Sequence, residues 1–273
     1  MIIDGHAHLG GEYRDLPAVI DTLDRAGADK VVLCPAEKDR PVSMPIPPLA
    51  GKVPYHELSY GVNRLLRTAT GNRKTAEYID HGNEEVSRIA AASGGRVIQF
   101  YWADIRRKDL IDDLDFKLNS WSFRGIKLHQ SCQPFRIRSD RFRELAEYAF
   151  SKDLPVFIHL HSKSEVSDFI AESAVLKTVF ITGHLIGLEI FTGNRHKVGE
   201  NVFFDISCPQ LVSLGMIKNV LKVFGPERII LGSDTPYGRN NLNLVISHVG
   251  KLGLSERETA MILGENLRNI LKL

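Results

Sequence analysis

Eight short apolar runs, each followed by a stretch with helical spacing, constrain this chain more than any other feature. The runs fall at residues 2–8, 30–34, 96–101, 123–129, 154–161, 177–184, 201–207 and 228–233. Helical spacing is read at 15–26, 72–93, 107–120, 140–152, 164–174, 188–196, 211–224, 240–252 and 255–271, the last opened by Ser255 and Glu258 in a capping-box pattern. Apolar strands separated by amphipathic helices imply a parallel sheet covered on both faces. Eight such units in 273 residues imply a (β/α)8 TIM barrel, which needs about 250 residues. An open doubly wound sheet is the rival, but no glycine-rich phosphate loop follows the first strand. The expectation is one α/β barrel domain over residues 1–273.

Residues 35–60 break the alternation. They are rich in proline, carry scattered apolar side chains, and read as a long loop after the second strand, with a short helix near its end. Loops of this length inside a compact domain commonly serve as lids or binding loops. This one is expected to cap the barrel mouth, with Met44, Ile46, Leu49 and Tyr55 lining it.

The rest of the composition works by exclusion. A formal net charge of +2 gives no case for a nucleic-acid or membrane-surface partner. No apolar run approaches the roughly 18 residues of a membrane span, and the first residues read as a strand rather than an export signal. Cys34, Cys132 and Cys208 are few and far apart, which points to reduced thiols and a cytoplasmic setting.

Polar residues then collect at one end of the predicted strands. Alternation in the first strand puts Asp4, His6 and His8 on one face and Ile3, Gly5 and Ala7 on the other. Two imidazoles two residues apart point the same way and suit a zinc ion, and Asp4 is placed to orient one of them. Lys127 and His129 end the fourth strand, His159 and His161 the fifth, and His184 the sixth, while Asp234 follows the eighth. Six of the ten histidines thus sit at strand C-termini, where barrel enzymes build active sites. His56, His81, His196 and His248 fall on helices or loops and are expected at the surface.

The ordered motifs DGHAH (4–8), GIKLHQ (125–130), FIH (157–159), GHLIG (183–187), GSDTP (232–236) and ILGENLRNIL (262–271) resemble the amidohydrolase superfamily. The likeness is greatest to its amidohydrolase-2 branch, which includes aminocarboxymuconate-semialdehyde decarboxylase-like and resorcylate decarboxylase-like enzymes as well as hydrolases. It spans essentially the whole chain. The resemblance implies His6, His8, His159 and Asp234 as ligands of one divalent metal, with no organic cofactor. Three imidazoles and a carboxylate suit zinc, and also accept manganese or iron. It further implies Asp234 as the proton carrier and His184 as the group that steadies developing negative charge.

The reading that leads is a hydrolase in which a metal-activated water attacks a small amide, lactone or ester. The alternative is a non-oxidative decarboxylase of a small aromatic acid using the same ligands; a binding protein that kept the fold ranks third. Lys127 is taken as an unmodified charged pocket residue, although a strand-four lysine carries a bridging carbamate in two-metal branches. Lys127, His129, His161, Arg136 and Tyr237 are the expected substrate contacts, and Arg124, Arg138 and Arg239 are further guanidinium candidates for a carboxylate. Cys132 and Cys208 fall near the mouth as lining residues. A homodimer is the default assembly for a soluble oligomer.

Overall fold

In the computed structural model, the described residues are 1–37, 42, 43, 46–52, 54–70 and 73–273, with backbone alone at 55, 56, 73 and 74. Eight strands appear in chain order: β1 (Ile3–His8), β2 (Lys30–Cys34), β3 (Val97–Trp102), β4 (Gly125–His129), β5 (Val156–His159), β6 (Phe180–Thr182), β7 (Val202–Asp205) and β8 (Ile229–Ile230). Each pairs in parallel with the next, giving the sheet order β1 to β8. The last seam is closed by backbone hydrogen bonds between β1 and the segment after β8. Gly5 donates to Leu231 (2.8 Å), Asp234 to His6 (2.8 Å) and His8 to Thr235 (2.6 Å). The expected TIM barrel is the fold.

The helices are α1 (Leu16–Ala26), α2 (Tyr55–Thr70), α3 (Arg73–Ala92), α4 (Leu110–Trp121), α5 (Asp140–Ser151), α6 (Lys163–Ser173), α7 (Leu188–Gly193), α8 (Leu214–Phe224), α9 (Asn241–Gly250), α10 (Glu256–Ala260) and α11 (Asn266–Leu271). Several start where the sequence supplies a cap. Asp15, Ser139, Ser162 and Ser213 each accept a backbone N–H of the first turn, and Ser255 and Glu258 complete the capping box. No helix among the described residues is long and apolar enough to cross a membrane.

Two differences from the sequence reading matter. The loop expected to run to residue 60 ends sooner, because α2 starts directly after Pro54, whose carbonyl accepts the N–H groups of Glu57 and Leu58. Proline content masked a helix whose Ser59, Tyr60, Asn63 and Thr70 are buried. Of the expected lid residues, Met44 and the Tyr55 side chain lie outside the described residues, while Ile46 lines the site cavity. The predicted final helix is split into α10 and α11 by a wide turn at Met261–Glu265, where Gly264 lies against the carbonyl of Met1.

The barrel interior is layered. Ile3, Val32, Ile98, Phe100, Phe157, Ile181 and Ile230 fill its lower part, closed from below by Leu267 and Leu271 of α11. Ile3 therefore shares the interior with His6, although strict alternation puts the two on opposite faces. The register of β1 shifts between Asp4 and Ala7, and that irregularity turns both inward.

A candidate metal centre at the barrel mouth

Above the apolar layer, strand register sets the site. β4 and β5 pair His129 with His159, and the two rings stack with centroids 3.9 Å apart. His6 stacks on Phe157 at 4.0 Å, which fixes its ring over the apolar floor. The segment after β8 brings Asp234 against β1. Asp234 Oδ1 lies 3.4 Å from His6 Nε2 and 3.7 Å from His8 Nε2, and Oδ2 lies 3.9 Å from His184 Nδ1. All four residues are buried.

The spacings of Asp234 Oδ1 from His6 Nε2 and His8 Nε2 are those of donor atoms arranged around one ion. Donor atoms about 2.1 Å from a common tetrahedral centre stand about 3.4 Å apart. His6, His184 and Asp234 each place a donor atom within 4.8 Å of the others. The residues present therefore fit a divalent cation. Burial pushes the pKa of His6, His8, His129 and His159 well below the usual imidazole range, and that of His184 down to about 3. The rings are neutral at pH 7, the form that can ligate. Burial raises the Asp234 carboxyl well above the ordinary carboxylate range.

Three of the rings are held by a partner from outside the motifs. His8 Nδ1 donates to the Pro35 carbonyl at 2.7 Å, so its Nε2 lone pair faces Asp234. His159 Nε2 meets Asn63 Oδ1 at 2.7 Å. The expected ligand His159 thus lines the same cavity as His8, His184 and Asp234, but with Nε2 turned to α2. His184 Nδ1 is 2.8 Å from Ser207 Oγ, which donates in turn to Asp205 Oδ2 at 2.5 Å. Asp205 also accepts the His184 backbone N–H at 3.0 Å, holding that residue in a left-handed conformation, φ 56°. Burial raises the Asp205 pKa and three donated hydrogen bonds pull it back; the balance, about 6, leaves it mostly ionised at neutral pH.

Lys127 is fully buried, its Nζ 3.2 Å from His6 Nε2 and 4.1 Å from the centre of the Phe157 ring. Desolvation lowers its pKa, and Asp234 and Asp205 draw it back up. Asp4 does not reach an imidazole as expected. Its carboxylate accepts from the Ser233 N–H (2.8 Å), the Tyr13 hydroxyl (2.9 Å) and the His6 N–H (3.4 Å), so it pins the seam that carries Asp234.

His129 and Tyr237 line the cavity, and the Tyr237 hydroxyl donates to Glu37. His161 lies outside the lining, its Nδ1 paired with Ser131 Oγ at 3.0 Å. Arg136 is exposed and outside the lining too, because the turn before α5 points it to solvent. Arg138 pairs with Asp168, and Arg124 reaches the Leu271 carbonyl at the other end of the barrel. Cys208 lines the cavity and Cys132 packs beside it with Trp102 and Ile79. Two other donor sets lie among the described residues: His6, His8 and Cys34, which shares both imidazoles with this centre, and Glu37, His129 and Cys132, in which His129 Nδ1 already accepts the N–H groups of Ser131 and Cys132.

Sequence reasoning missed Asn63, Asp205 and Ser207. The NVFFDIS run does show an acid at a strand end, which is a usable signal; a single asparagine on a helix is not.

Many solved structures are similar in fold, three of them as follows. One is 2,6-dihydroxybenzoate decarboxylase complexed with 2,6-dihydroxybenzoate, 14% identical, covering 100% of this chain and 99% of that one at TM-score 0.70. Another is a dihydroxybenzoic acid decarboxylase from Polaromonas sp. JS666 with bound manganese and the inhibitor 2-nitroresorcinol, 13% identical over 100% and 97% at 0.67. The third is 4-oxalomesaconate hydratase from Rhodopseudomonas palustris, 13% identical over 100% and 96% at 0.65. No curated protein matches the chain in sequence. The amidohydrolase family model Amidohydro_2 matches residues 3–273, from the first strand of the barrel to its last helix, and the chain belongs to that family.

Proposed function

We propose that this chain is a metal-dependent, non-oxidative decarboxylase of a small aromatic carboxylic acid. The observation that carries the reading is the cavity above the metal centre. It measures about 180 Å³, with Ile46, Val62, Leu66, Ile186 and Leu211 as walls and His8, His129, His159, His184 and Asp234 as floor. An apolar cavity of about 150 Å³ admits one benzene-sized ring. The space therefore suits a single ring whose acidic substituents meet the floor. The similar decarboxylase structures, named with 2,6-dihydroxybenzoate and 2-nitroresorcinol, support the same substrate class. They favour decarboxylation over the hydrolysis that the motifs alone put first.

His6, His8, His159 and Asp234 would hold the cation. Zinc is the ion their donor types suggest, and manganese is bound in the similar Polaromonas structure. When bound, such an ion supplies Lewis acidity and an anchor for substrate oxygens. The chain's own groups do the rest. The buried Lys127 ammonium offsets the substrate's negative charge. Asp234 Oδ2, the oxygen on the His184 side, is the atom that carries the proton the reaction needs. That proton passes to the ring carbon as the carbon–carbon bond breaks and carbon dioxide leaves. Asp234 regains a proton from solvent, so one carboxylate and one proton become an arene and CO2. His184, neutral and fixed by Ser207, offers its remaining ring nitrogen to the substrate. The apolar walls keep water from the ring.

The test is a panel of hydroxybenzoates beside amides, lactones and esters, assayed with zinc- or manganese-loaded protein. Release of CO2 from one or more hydroxybenzoates is expected. Hydrolysis of an ester, lactone or amide with no CO2 from any acid contradicts the proposal and returns the hydrolase reading.

A further inference from the structure

α2 lies along the cavity at the barrel mouth, and its Asn63 side chain reaches His159 there. Asn63 is 1% exposed. Its Nδ2 donates to the carbonyls of Leu160 at 2.9 Å and His161 at 3.0 Å, so the amide orientation is set by two acceptors. The atom facing His159 Nε2 at 2.7 Å is therefore Oδ1. A carbonyl oxygen only accepts, so Nε2 carries the proton and the lone pair of the neutral ring lies on Nδ1.

We propose that Asn63 is a positioning residue for His159. It fixes the Nε2–H tautomer, presents Nδ1 as the ligating nitrogen, and thereby couples the seating of α2 over the mouth to metal occupancy. The inference rests on the metal reading above. Pro35 plays the matching part for His8 with the opposite nitrogen, so both acceptors come from the segment between β2 and β3. Metal ligands whose outer partner is removed typically lose 10–100-fold in affinity. Other anchors keep α2 in place without Asn63: Arg67 donates to the Gln130 carbonyl at 3.0 Å, and Thr70 Oγ1 to Cys132 Sγ at 3.3 Å.

The experiment compares full-length wild type, Asn63→Ala and Asn63→Asp, stripped of metal and titrated with zinc against a chromophoric chelator. A carboxylate at 63 still accepts from His159 but cannot donate to Leu160 and His161. The expected result is about 10–100-fold weaker zinc binding in Asn63→Ala and recovery of most of it in Asn63→Asp. Both variants unfold at lower denaturant than wild type. Equal affinity in Asn63→Ala overturns the proposal, and so does an Asn63→Asp variant as weak as Asn63→Ala, which makes the residue merely structural. Nitrogen-15 NMR of the metal-free protein reads the tautomer directly: His159 carries its proton on Nε2 in wild type and Asn63→Asp. An Nδ1–H tautomer in wild type overturns the inference without touching the metal reading. A wild type that takes up no zinc overturns the metal reading instead.

Discussion

Gly5 sits between the two histidines and the closing seam, and Gly5→Ala probes both at once. A Cβ added there would lie 2.5 Å from the Leu231 carbonyl oxygen, 2.7 Å from Ile230 Cγ2 and 3.0 Å from Leu267 Cδ2. The nearest of these is backbone, so no side-chain rotation relieves the contact; β1 and the segment after β8 must part. Overpacking of this kind costs about 1–3 kcal/mol. The Gly5 to Leu231 hydrogen bond, 2.8 Å, stretches with it, adding about 0.5–1.5 kcal/mol. The expected loss is about 1.5–4.5 kcal/mol, read by urea unfolding of the metal-free protein. Asp234 hangs on the same seam through its N–H to the His6 carbonyl, so its carboxylate is drawn away from His6 and His8. Metal sites tolerate about 0.2 Å. Zinc affinity should therefore fall together with stability. An alanine that costs under about 0.5 kcal/mol and leaves zinc binding intact would refute the reasoning, since ordinary surface changes fall within that range.

Further expectations concern the same groups. Ser207→Ala removes the acceptor of His184 Nδ1–H and leaves Asp205 with one donor fewer; kcat should fall by more than KM changes, with metal content kept, and an unchanged kcat argues against the role given to His184. Lys127→Met should retain its metal and raise KM for the carboxylate substrate, whereas loss of metal on this substitution would make the lysine a carbamate ligand. Acid should destabilise the metal-free protein. Below pH 6.5 the unfolded chain protonates His6, His8, His129, His159 and His184, which the fold keeps neutral, so stability falls as pH falls. Asp4 and Asp205, both raised to about 6, and Asp234 work the other way by taking up protons in the fold. The histidines outnumber the carboxylates, so the urea midpoint falls on acidification from pH 6 to 5; a midpoint that rises contradicts this.

Much of this centre is legible in the sequence because strand alternation and motif order place residues without knowledge of tertiary contacts. His8 of the DGHAH run, His129 of GIKLHQ and the aspartate after the eighth strand line the cavity at the mouth, and His6 lies against that aspartate. What escapes is whatever depends on register irregularity or on long-range partners. The shift in β1 puts Ile3 inside and turns Asp4 onto backbone N–H groups, and no local pattern announces it. Asn63 and Ser207 act through atoms 96 and 23 residues away in the chain, and proline-rich flanks hide the helix that carries Asn63. Arg136 shows the converse: a residue type suited to carboxylates says nothing about direction, and the turn before α5 sends it to solvent.

The most direct test of the account is the metal content of purified protein, wild type beside His6→Ala and Asp234→Asn. The account predicts about one tightly held zinc or manganese per wild-type chain and its loss from both variants. No metal after supplementation, or a content the two substitutions leave unchanged, contradicts it.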